Sequence, residues 1–468
     1  MELLVPFDVE GKPLYEQIYQ YIKSEIRAGR LKAGERLPST RILAQNLKVS
    51  RSTTQMAYDQ LFSEGYIEPV PCRGYFVSRI EALIEVERSE GGALVTEEHG
   101  KKEYRIDFSP RGIDLESFPY SIWRKLSRNT LADDQKQMFL VGDPQGEYRL
   151  RDAIGAYLHS ARGVNCRSEQ IVVGAGNEYL LMLLSQLLGR ETKIAIENPT
   201  YKQAYRVFCS MGHKVLPLPM DYQGMMPGLL EESGASAAYV MPSHQYPTGI
   251  VIPVGRRQEL LGWAYKQTGR YLIEDDYDSE FRYKGKPIPA LQGMDSGGRV
   301  IYMGTFSRSV APAIRVGFMV LPETLLKKYK ETAGFYASTV SRIDQNILYH
   351  FIKDGHYERH LNRMRTVYKV KQYTLLTGLD KLRTEFEIRG EYAGTHVLLT
   401  DRSGRSEEEL ERLAGEQGVR VYGMSEMVIG ENKNMIPSTV ILGYASLKTE
   451  EICEGCRLLC RAWGHGGT

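Results

Sequence analysis

The first 80 residues combine a helical period with a short strand pattern. Apolar residues recur every fourth position at Leu14, Ile18, Ile22 and Ile26. This spacing predicts an amphipathic helix that ends at Gly29. Ser39 and Ser50 are good N-caps for a second helix, with Ile42, Leu43 and Leu47 turned inward, and for a third helix that continues to about Ser63. Two apolar runs, 66–70 and 75–77, flank a turn and predict a β-hairpin.

Basic residues are concentrated in the same region. Residues 27–51 contain seven basic side chains against Glu35 alone, although the net charge of the whole chain is only +2. The start of the third helix carries Arg51, Ser52, Thr53 and Gln55, which are side-chain types that contact phosphates and base edges. Arg41 and Arg73 flank that helix. The pattern favours DNA binding over the alternative, a helical interaction module with a solvated charged face.

Residues 13–77 resemble the GntR-type winged helix over nearly its whole length. The matching stretches include the LPSTR segment at 37–41, the LKVSR segment at 47–51 and the RGYFV segment at 73–77. The resemblance implies that the partner is a double-stranded DNA operator. It also implies that the contacts include Arg41, Arg51, Thr53, Arg73 and Gly74.

A charged stretch with little periodicity follows the hairpin. It contains Gly91 and Gly92 and is too long for an unstructured loop inside a compact domain. We therefore expect a DNA-binding domain at 1–79, a linker at 80–104 and a larger domain at 105–468.

Short apolar runs alternate with amphipathic helices in the larger domain. The runs are 171–173, 193–196, 237–241, 271–274 and 300–303. Continuously apolar runs of this length are typical of buried parallel strands, so an α/β fold is expected. Because ligands bind beyond the carboxyl ends of such strands, the residues after each run are candidate ligand-binding residues.

Polar or aromatic residues follow all five runs. They form the segments 174–177, 197–201, 242–249, 274–277 and 304–308. Gly174–Asn177 opens a helix, a place where backbone N–H groups bind phosphate. A single such cluster is usually structural, but five at successive strand ends favour a ligand site.

These segments together resemble the fold-type-I aminotransferase domain. Joined to a GntR-type winged helix, the chain is similar to the MocR-type regulators, and within them to the PdxR branch, which senses pyridoxal 5′-phosphate (PLP). The resemblance implies a mostly parallel sheet with helices on both faces, a small C-terminal α+β subdomain and a homodimer. The cofactor-binding residues that it implies are Ala175, Gly176, Asn177, Tyr201, Asp275, Tyr277, Thr305, Ser307, Arg308 and Arg315.

Three positions depart from the pattern of that family. Arg308 stands where the family carries the lysine that bonds covalently to PLP, and a guanidinium does not attack an aldehyde as an amine does. Val141 replaces a tyrosine, and Ser438 lies where aminotransferases place an arginine for the substrate carboxylate. No catalytic residue is therefore expected. The pocket is left with three options, which are non-covalent PLP, a different anionic ligand or no ligand.

Several other classes of protein are disfavoured. The first residues lack the pattern of a signal peptide, no apolar stretch is long enough to span a membrane, and six cysteines do not form a disulfide framework, so we expect a cytoplasmic protein. Cys453, Cys456 and Cys460 are spaced along one helix face, which predicts a buried face and not a metal site. We expect a ligand-responsive transcription regulator. The alternatives are an active aminotransferase and a regulator that needs no ligand.

Overall fold

The computed structural model describes residues 3, 5–8, 12–71, 73–79, 104–131, 136–283, 285, 287–390, 393–430 and 436–464. The chain divides into two compact units, Met1–Lys101 and Lys102–Thr468. The predicted linker lies almost wholly outside the described residues, so its boundaries stay a prediction.

The N-terminal unit consists of three helices and a hairpin. The elements are α1 (Leu14–Arg27), α2 (Thr40–Leu47), α3 (Arg51–Ser63), β1 (Ile67–Val70) and β2 (Gly74–Val77). The two predicted caps are confirmed: Ser39 Oγ accepts a hydrogen bond from the Ile42 N–H at 3.3 Å, and Ser50 Oγ accepts one from the Thr53 N–H at 3.1 Å. These caps fix where α2 and α3 begin.

One predicted core residue of this unit is wrong. Ile42 is 51% exposed, because α2 turns Thr40, Leu43 and Ala44 toward the core instead. Residues three and four apart share a helix face, whereas Ile42 lies about 100° around the helix from Leu43. The remaining core comes from all three helices and the hairpin, and it includes Ile18 and Ile22, which are fully buried.

An eight-stranded sheet forms the centre of the C-terminal unit. Its strands are β4 (Ile171–Gly174), β5 (Ile194–Asn198), β6 (Val215–Asp221), β7 (Gly224–Met225), β8 (Ala237–Val240), β9 (Tyr271–Asp276), β10 (Val300–Thr305) and β11 (Gly317–Val320). A two-residue strand, β3 (Ile106–Asp107), precedes them. Their order is β4-β11-β10-β9-β8-β5-β6-β7, and only β7 and β11 run antiparallel to their neighbours. Buried apolar clusters cover both faces of this sheet.

Helices pack around the large sheet. They are α4 (Tyr120–Thr130), α5 (Tyr148–Arg162), α6 (Asn177–Leu188), α7 (Lys202–Ser210), α8 (Pro227–Glu232), α9 (Val254–Tyr265), α10 (Phe306–Ser309), α11 (Glu323–Thr332), α12 (Arg342–Lys353) and α13 (His356–Gly378). Within the described ranges, no helix is both long and apolar enough to cross a membrane.

A second, smaller sheet lies near the C-terminus. It uses β12 (Phe386–Arg389), β13 (His396–Asp401), β15 (Tyr422–Gly423) and β16 (Thr439–Gly443), while β14 (Val419–Arg420) pairs with β3. It is antiparallel and is accompanied by α14 (Glu407–Glu416) and α15 (Thr449–Trp463). The predicted fold class, including the small α+β subdomain, is confirmed. The predicted buried cysteine face holds for Cys456 but not for Cys453, which is exposed.

Candidate DNA-binding surface and ligand cavity

The N-termini of α2 and α3 are held together by side-chain hydrogen bonds. Thr54 is fully buried, and its hydroxyl donates to the Thr40 carbonyl at 2.9 Å. The Tyr58 hydroxyl donates to the Pro38 carbonyl at 2.9 Å. The two bonds connect the first two turns of α3 to the start of α2. Arg41 and Arg51 therefore lie at the N-termini of two helices that are hydrogen-bonded to each other.

The predicted DNA-contacting arginines of this unit are exposed cations. Arg41, Arg51 and Arg73 are all exposed, and within the described residues no carboxylate forms an ion pair with any of them. By contrast, Arg30 pairs with Glu25 at 2.6 Å. An exposed cation without an internal partner at a helix N-terminus is well placed to bind a phosphate.

The other predicted DNA-contacting residues already have partners. The hydroxyls of Ser52 and Thr53 each lie 2.7 Å from Ser50 Oγ. Gln55 is half-buried, and its amide donates to Asp59 Oδ1 at 2.8 Å and to the Tyr75 hydroxyl at 3.3 Å. Gln55 therefore fastens α3 to the hairpin, and it would have to give up these bonds to reach a base.

Arg36 lies beside the β1–β2 hairpin but was not among the predicted DNA contacts. Gly74 has φ of +103°, and a Cβ placed there would lie 3.6 Å from Arg36 Nε. Arg36 also forms a β-bridge with Phe76 and is exposed. The basic cluster of the sequence contained it, but its position beside β2 depends on a bridge that the local sequence does not reveal.

A cavity of about 640 Å³ opens beyond the carboxyl ends of the large sheet. Eight of the ten predicted cofactor residues line it, namely Asn177, Tyr201, Asp275, Tyr277, Thr305, Ser307, Arg308 and Arg315. Tyr246, from the candidate segment 242–249, also lines it, and the lining residues that sequence reasoning missed include Pro110, Arg111, Glu178, Lys202, Arg206 and Glu426. The structure thus brings together residues from the ends of five strands, β4, β5, β8, β9 and β10.

Asp275 lies in β9 and is the buried carboxylate of the cavity. Its Oδ2 accepts hydrogen bonds from Asn177 Nδ2 at 3.1 Å and from the hydroxyl of Tyr239, whereas no described group donates to Oδ1. Burial raises the pKa of Asp275 to about 6, and the two hydrogen bonds act against that rise. The free oxygen of this carboxylate suits a ring N–H that carries positive charge.

Ser307 and Arg315 supply polar groups at another part of the cavity. Ser307 Oγ is buried and has no hydrogen-bond partner among the described residues. Arg315 has φ of +50° and pairs with Glu178 at 2.8 Å. Burial acts to raise the pKa of Glu178. The hydrogen bond from Arg315, together with the other groups that contact Glu178, outweighs burial, so the pKa is lowered. An unpartnered hydroxyl and an arginine fit a phosphate.

The Gly174–Asn177 turn differs from the predicted phosphate cradle. The Ala175 N–H donates to Thr339 Oγ1 at 3.1 Å, the Gly176 N–H donates to the Gly174 carbonyl at 2.8 Å, and neither residue lines the cavity. Gly176 instead admits Arg315, since a Cβ there would lie 2.8 Å from Arg315 Nη2. The helix start reaches the cavity through Asn177 and Glu178.

Aromatic rings form the walls of the cavity. Tyr201 and Tyr246 meet edge to face, with ring centroids 6.4 Å apart. Burial raises the pKa of Tyr201 to about 12, with Arg111 and Arg308 acting in the opposite direction. The Tyr277 hydroxyl lies 3.1 Å from His244 Nδ1, which also lies 2.9 Å from Asp278 Oδ2. The lining therefore includes aromatic rings, the type of side chain on which a heteroaromatic ring stacks.

Arg308 is anchored by neutral oxygen atoms. Its Nη1 donates to the Arg111 carbonyl at 3.0 Å, and its Nη2 donates to the Pro110 carbonyl at 3.1 Å and to Thr395 Oγ1 at 3.2 Å. The side chain therefore fastens the segment before α4 to the cavity wall, and its position in the cavity is fixed.

Comparison with known proteins finds relatives of both units. Residues 14–77 match the family model of bacterial regulatory proteins of the gntR family, and residues 115–459 match that of aminotransferase class I and II. The chain is 38% identical over 452 residues to the HTH-type transcriptional regulator YdeL of Bacillus subtilis, which covers 96% of this chain and 97% of that protein.

Two further similarities cover most of the C-terminal unit. The HTH-type pyridoxine biosynthesis transcriptional regulator PdxR of Corynebacterium glutamicum is 31% identical over 390 residues, covering 82% of this chain and 83% of that protein. The α-aminoadipate aminotransferase LysN of Thermus thermophilus, solved with N-(5′-phosphopyridoxyl)-L-leucine, superposes with a TM-score of 0.66 at 26% identity, over 77% of this chain and 92% of that chain. With both domains matched and relatives along nearly its full length, the chain belongs to the MocR-type HTH transcriptional regulators, in which a GntR-type DNA-binding domain is joined to an aminotransferase-like domain.

Proposed function

We propose that this regulator is a cytoplasmic homodimer whose aminotransferase-like domain binds PLP, or a related anionic ligand, without a covalent bond and without transamination. The genes that it controls would belong to vitamin B6 or amino-acid metabolism. The similarity to a regulator of pyridoxine biosynthesis supports this choice of ligand.

The cavity carries the proposal. Its lining includes a carboxylate with a free oxygen at Asp275, tyrosine rings, the unpartnered Ser307 hydroxyl and the Arg315 guanidinium. These are the groups that a protonated pyridine ring with a phosphate requires. Arg308 occupies the position at which the resembled family has its lysine, and it is bonded to backbone carbonyls.

PLP supplies a reactive aldehyde and an electron-withdrawing ring when it is bound. In this chain Asp275 would hold the ring N–H, Tyr201 would stack on the ring, and Ser307 with Arg315 would hold the phosphate. Glu178 would have to release Arg315, at least in part, because the Glu178 carboxylate and the phosphate are both anions that compete for this arginine. The Arg308 guanidinium adds no nucleophile, so the bound ligand would act as a signal and not as a reagent.

DNA binding would use the exposed face that Arg41, Arg51, Arg73 and Gly74 share, with Arg36 as a further phosphate contact. The fastened N-termini of α2 and α3 support this assignment. Ser52, Thr53 and Gln55 would adjust the fit, since their side chains are already hydrogen-bonded.

An exposed apolar segment supports the homodimer. Phe139, Leu140 and Val141 are 74%, 65% and 88% exposed, which is unusual for three consecutive apolar residues. A self-complementary contact between two copies would cover them, and a homodimer carries two DNA-binding domains for paired half-sites. Residues 105–468 alone should then sediment as a dimer at micromolar concentration, and a monomer would contradict the shared interface.

Equilibrium dialysis of the full chain with PLP tests the ligand assignment. We expect saturable binding, release of unmodified PLP on denaturation and no trapping by borohydride. Asp275→Ala should weaken binding, whereas Arg190→Gln, at an exposed position outside the lining residues, should not. Absence of any saturable binding would favour the second candidate, a regulator whose pocket has no ligand.

A further inference from the structure

The charge of Arg308 has no counter-ion among the described residues. Its three hydrogen bonds all go to neutral acceptors, namely two backbone carbonyls and the Thr395 hydroxyl. Hydrogen bonds of this kind fix the orientation of a guanidinium but leave its positive charge in place. The side chain is only partly exposed, so water screens that charge incompletely.

Arg111 brings a second charge to the same part of the cavity. Arg308 donates to the backbone carbonyl of Arg111 itself, and both side chains line the cavity. In the part of the chain that the structure describes, no hydrogen bond or ion pair engages the Arg111 guanidinium. Both arginines act to lower the pKa of the same two residues, Tyr201 and Tyr246, so the two positive charges lie around one space.

The acidic residues that line the cavity do not neutralise this pair. Glu178 is bonded to Arg315, and Asp275 is bonded to Asn177 and Tyr239. Glu426 also lines the cavity, but it forms no ion pair with Arg111 or Arg308. Arg206 adds further positive charge to the lining. Arg111 and Arg308 are therefore left without an ion pair among the described residues, although the charge of Glu426 also acts on the pKa of Tyr246.

We propose that Arg111 and Arg308 form a carboxylate-binding subsite, so that the effector is one molecule with two anionic groups. Its phosphate would lie at Ser307 and Arg315, its ring N–H at Asp275, and a carboxylate on the ring's substituent at Arg111 and Arg308. This inference builds on the proposed function and narrows the ligand to the class of phosphopyridoxyl amino acids, in which an amino acid nitrogen is bonded to the ring's methylene carbon.

The subsite explains how the cavity replaces two absent groups. Ser438 stands where aminotransferases carry their carboxylate-binding arginine, and Arg308 stands where they carry the reactive lysine. The Arg111 guanidinium offers parallel N–H donors, the geometry that suits a carboxylate, and Arg308 adds a fixed positive charge to the same cavity. A carboxylate-bearing substituent thus gains charge-assisted hydrogen bonds that the bare cofactor lacks.

Calorimetric titration of the full chain with two probes tests the subsite. The probes are pyridoxamine 5′-phosphate and N-(5′-phosphopyridoxyl)-glycine, which share ring and phosphate and differ in the carboxymethyl group. We expect the glycine adduct to bind at least about tenfold more tightly. Arg111→Gln should remove most of that advantage, so it should weaken the glycine adduct by a much larger factor than pyridoxamine 5′-phosphate, which has no carboxylate. Arg308→Gln is the second variant and Arg190→Gln the matched control.

The outcomes separate the subsite from the proposed function. Equal affinity of the two probes, or an advantage that survives in Arg111→Gln, would overturn the subsite while ring binding stands. Failure of both probes to bind would overturn the proposed function and the subsite with it. If Arg308→Gln does not fold, Arg111→Gln decides the question, since its side chain holds no other part of the chain.

Discussion

The charged side chains of the two proposed functional surfaces differ in whether they already have partners within the chain. On the N-terminal unit Arg41, Arg51 and Arg73 are exposed and have no carboxylate partner among the described residues. In the cavity, Asp275 is buried and accepts two hydrogen bonds, and Arg315 forms an ion pair with Glu178. The first surface is ready for a polyanion without rearrangement, whereas in the cavity the proposed phosphate must displace Glu178 from Arg315, although Arg111 and Arg308 have no ion-pair partner among the described residues.

This difference sets how each surface discriminates. A free cation on the exterior contributes affinity for any phosphate and is screened by salt. A buried group that already has a partner favours only ligands whose own groups replace that partner. We therefore expect variants of the DNA-binding surface to change affinity in proportion to charge, and variants of the cavity to change which ligands bind and in what form.

The largest expected effect is a change in the type of bond at position 308. Arg308→Lys should allow the lysine amine to add to the PLP aldehyde, with loss of water and formation of a C=N bond. The positive charge of Arg111 nearby favours the unprotonated amine that this reaction needs. Borohydride should then trap near-stoichiometric adduct in the variant and none in the unmodified chain, as measured by intact mass.

Lys202 provides the control for that experiment because it also lines the cavity. An adduct in the unmodified chain that disappears in Lys202→Gln would show that this second amine reaches the aldehyde. An inert Arg308→Lys variant would show that the cavity does not place PLP as we propose.

Asp275→Asn should stabilise the folded chain at neutral pH, because it removes a buried negative charge. The pKa of Asp275 is about 6 in the folded chain against an ordinary value of 3.8, so the folded state holds a proton that the unfolded state loses first. Stability therefore falls as pH rises from about 4 to 6, and the loss is complete above pH 6. The variant avoids this loss and should be more stable at pH 7.5 by on the order of 3 kcal/mol.

Urea unfolding of the C-terminal unit at pH 7.5 and pH 4 measures this effect. The gain should be present at pH 7.5 and small at pH 4, and Asp380→Asn, at an exposed position, should show neither. An equal difference at both pH values would mean that the buried charge is not its cause.

A smaller effect is expected for Arg51→Ala on the other surface. DNA selected by the unmodified chain from a random pool should bind about 1–3 kcal/mol more weakly if Arg51 contacts a base, or uniformly more weakly across sequences if it contacts a phosphate. In the second case the slope of affinity against salt should fall by about one ion. Arg30→Ala is the matched control, because Arg30 is paired with Glu25. Unchanged affinity in a fluorescence anisotropy titration would remove Arg51 from the surface.

Local signals made the N-terminal unit readable from sequence. Ser39 and Ser50 cap their helices by bonding to N–H groups three residues away, so the boundary of each helix lies in a few consecutive residues. Ile42 was misplaced because its apolar side chain carries no information on which face of α2 meets α3. The roles of the predicted DNA contacts stay predictions.

The cavity was readable in part. The residues after the apolar runs do meet at one edge of the sheet, but the β9 run was predicted to end at Glu274 and continues to Asp276, because Asp276 is buried against Arg162 at 2.8 Å and the Tyr302 hydroxyl at 2.6 Å. Partners such as Tyr239 and Arg111 come from segments distant in sequence. Spacing along the chain does not reveal such lateral contacts, so the partners of Asp275 and Arg308 emerged only from the structure.

Ligand bound in the cavity should change the affinity of the regulator for DNA. Fluorescence anisotropy with the selected DNA, with and without pyridoxamine 5′-phosphate or the phosphopyridoxyl-glycine adduct at a concentration shown by calorimetry to saturate the chain, measures this directly. A ligand that prefers one arrangement of the regulator shifts DNA affinity by that preference, and we expect a change of about fivefold or more. Superimposable binding curves at full ligand occupancy would contradict a ligand-responsive regulator.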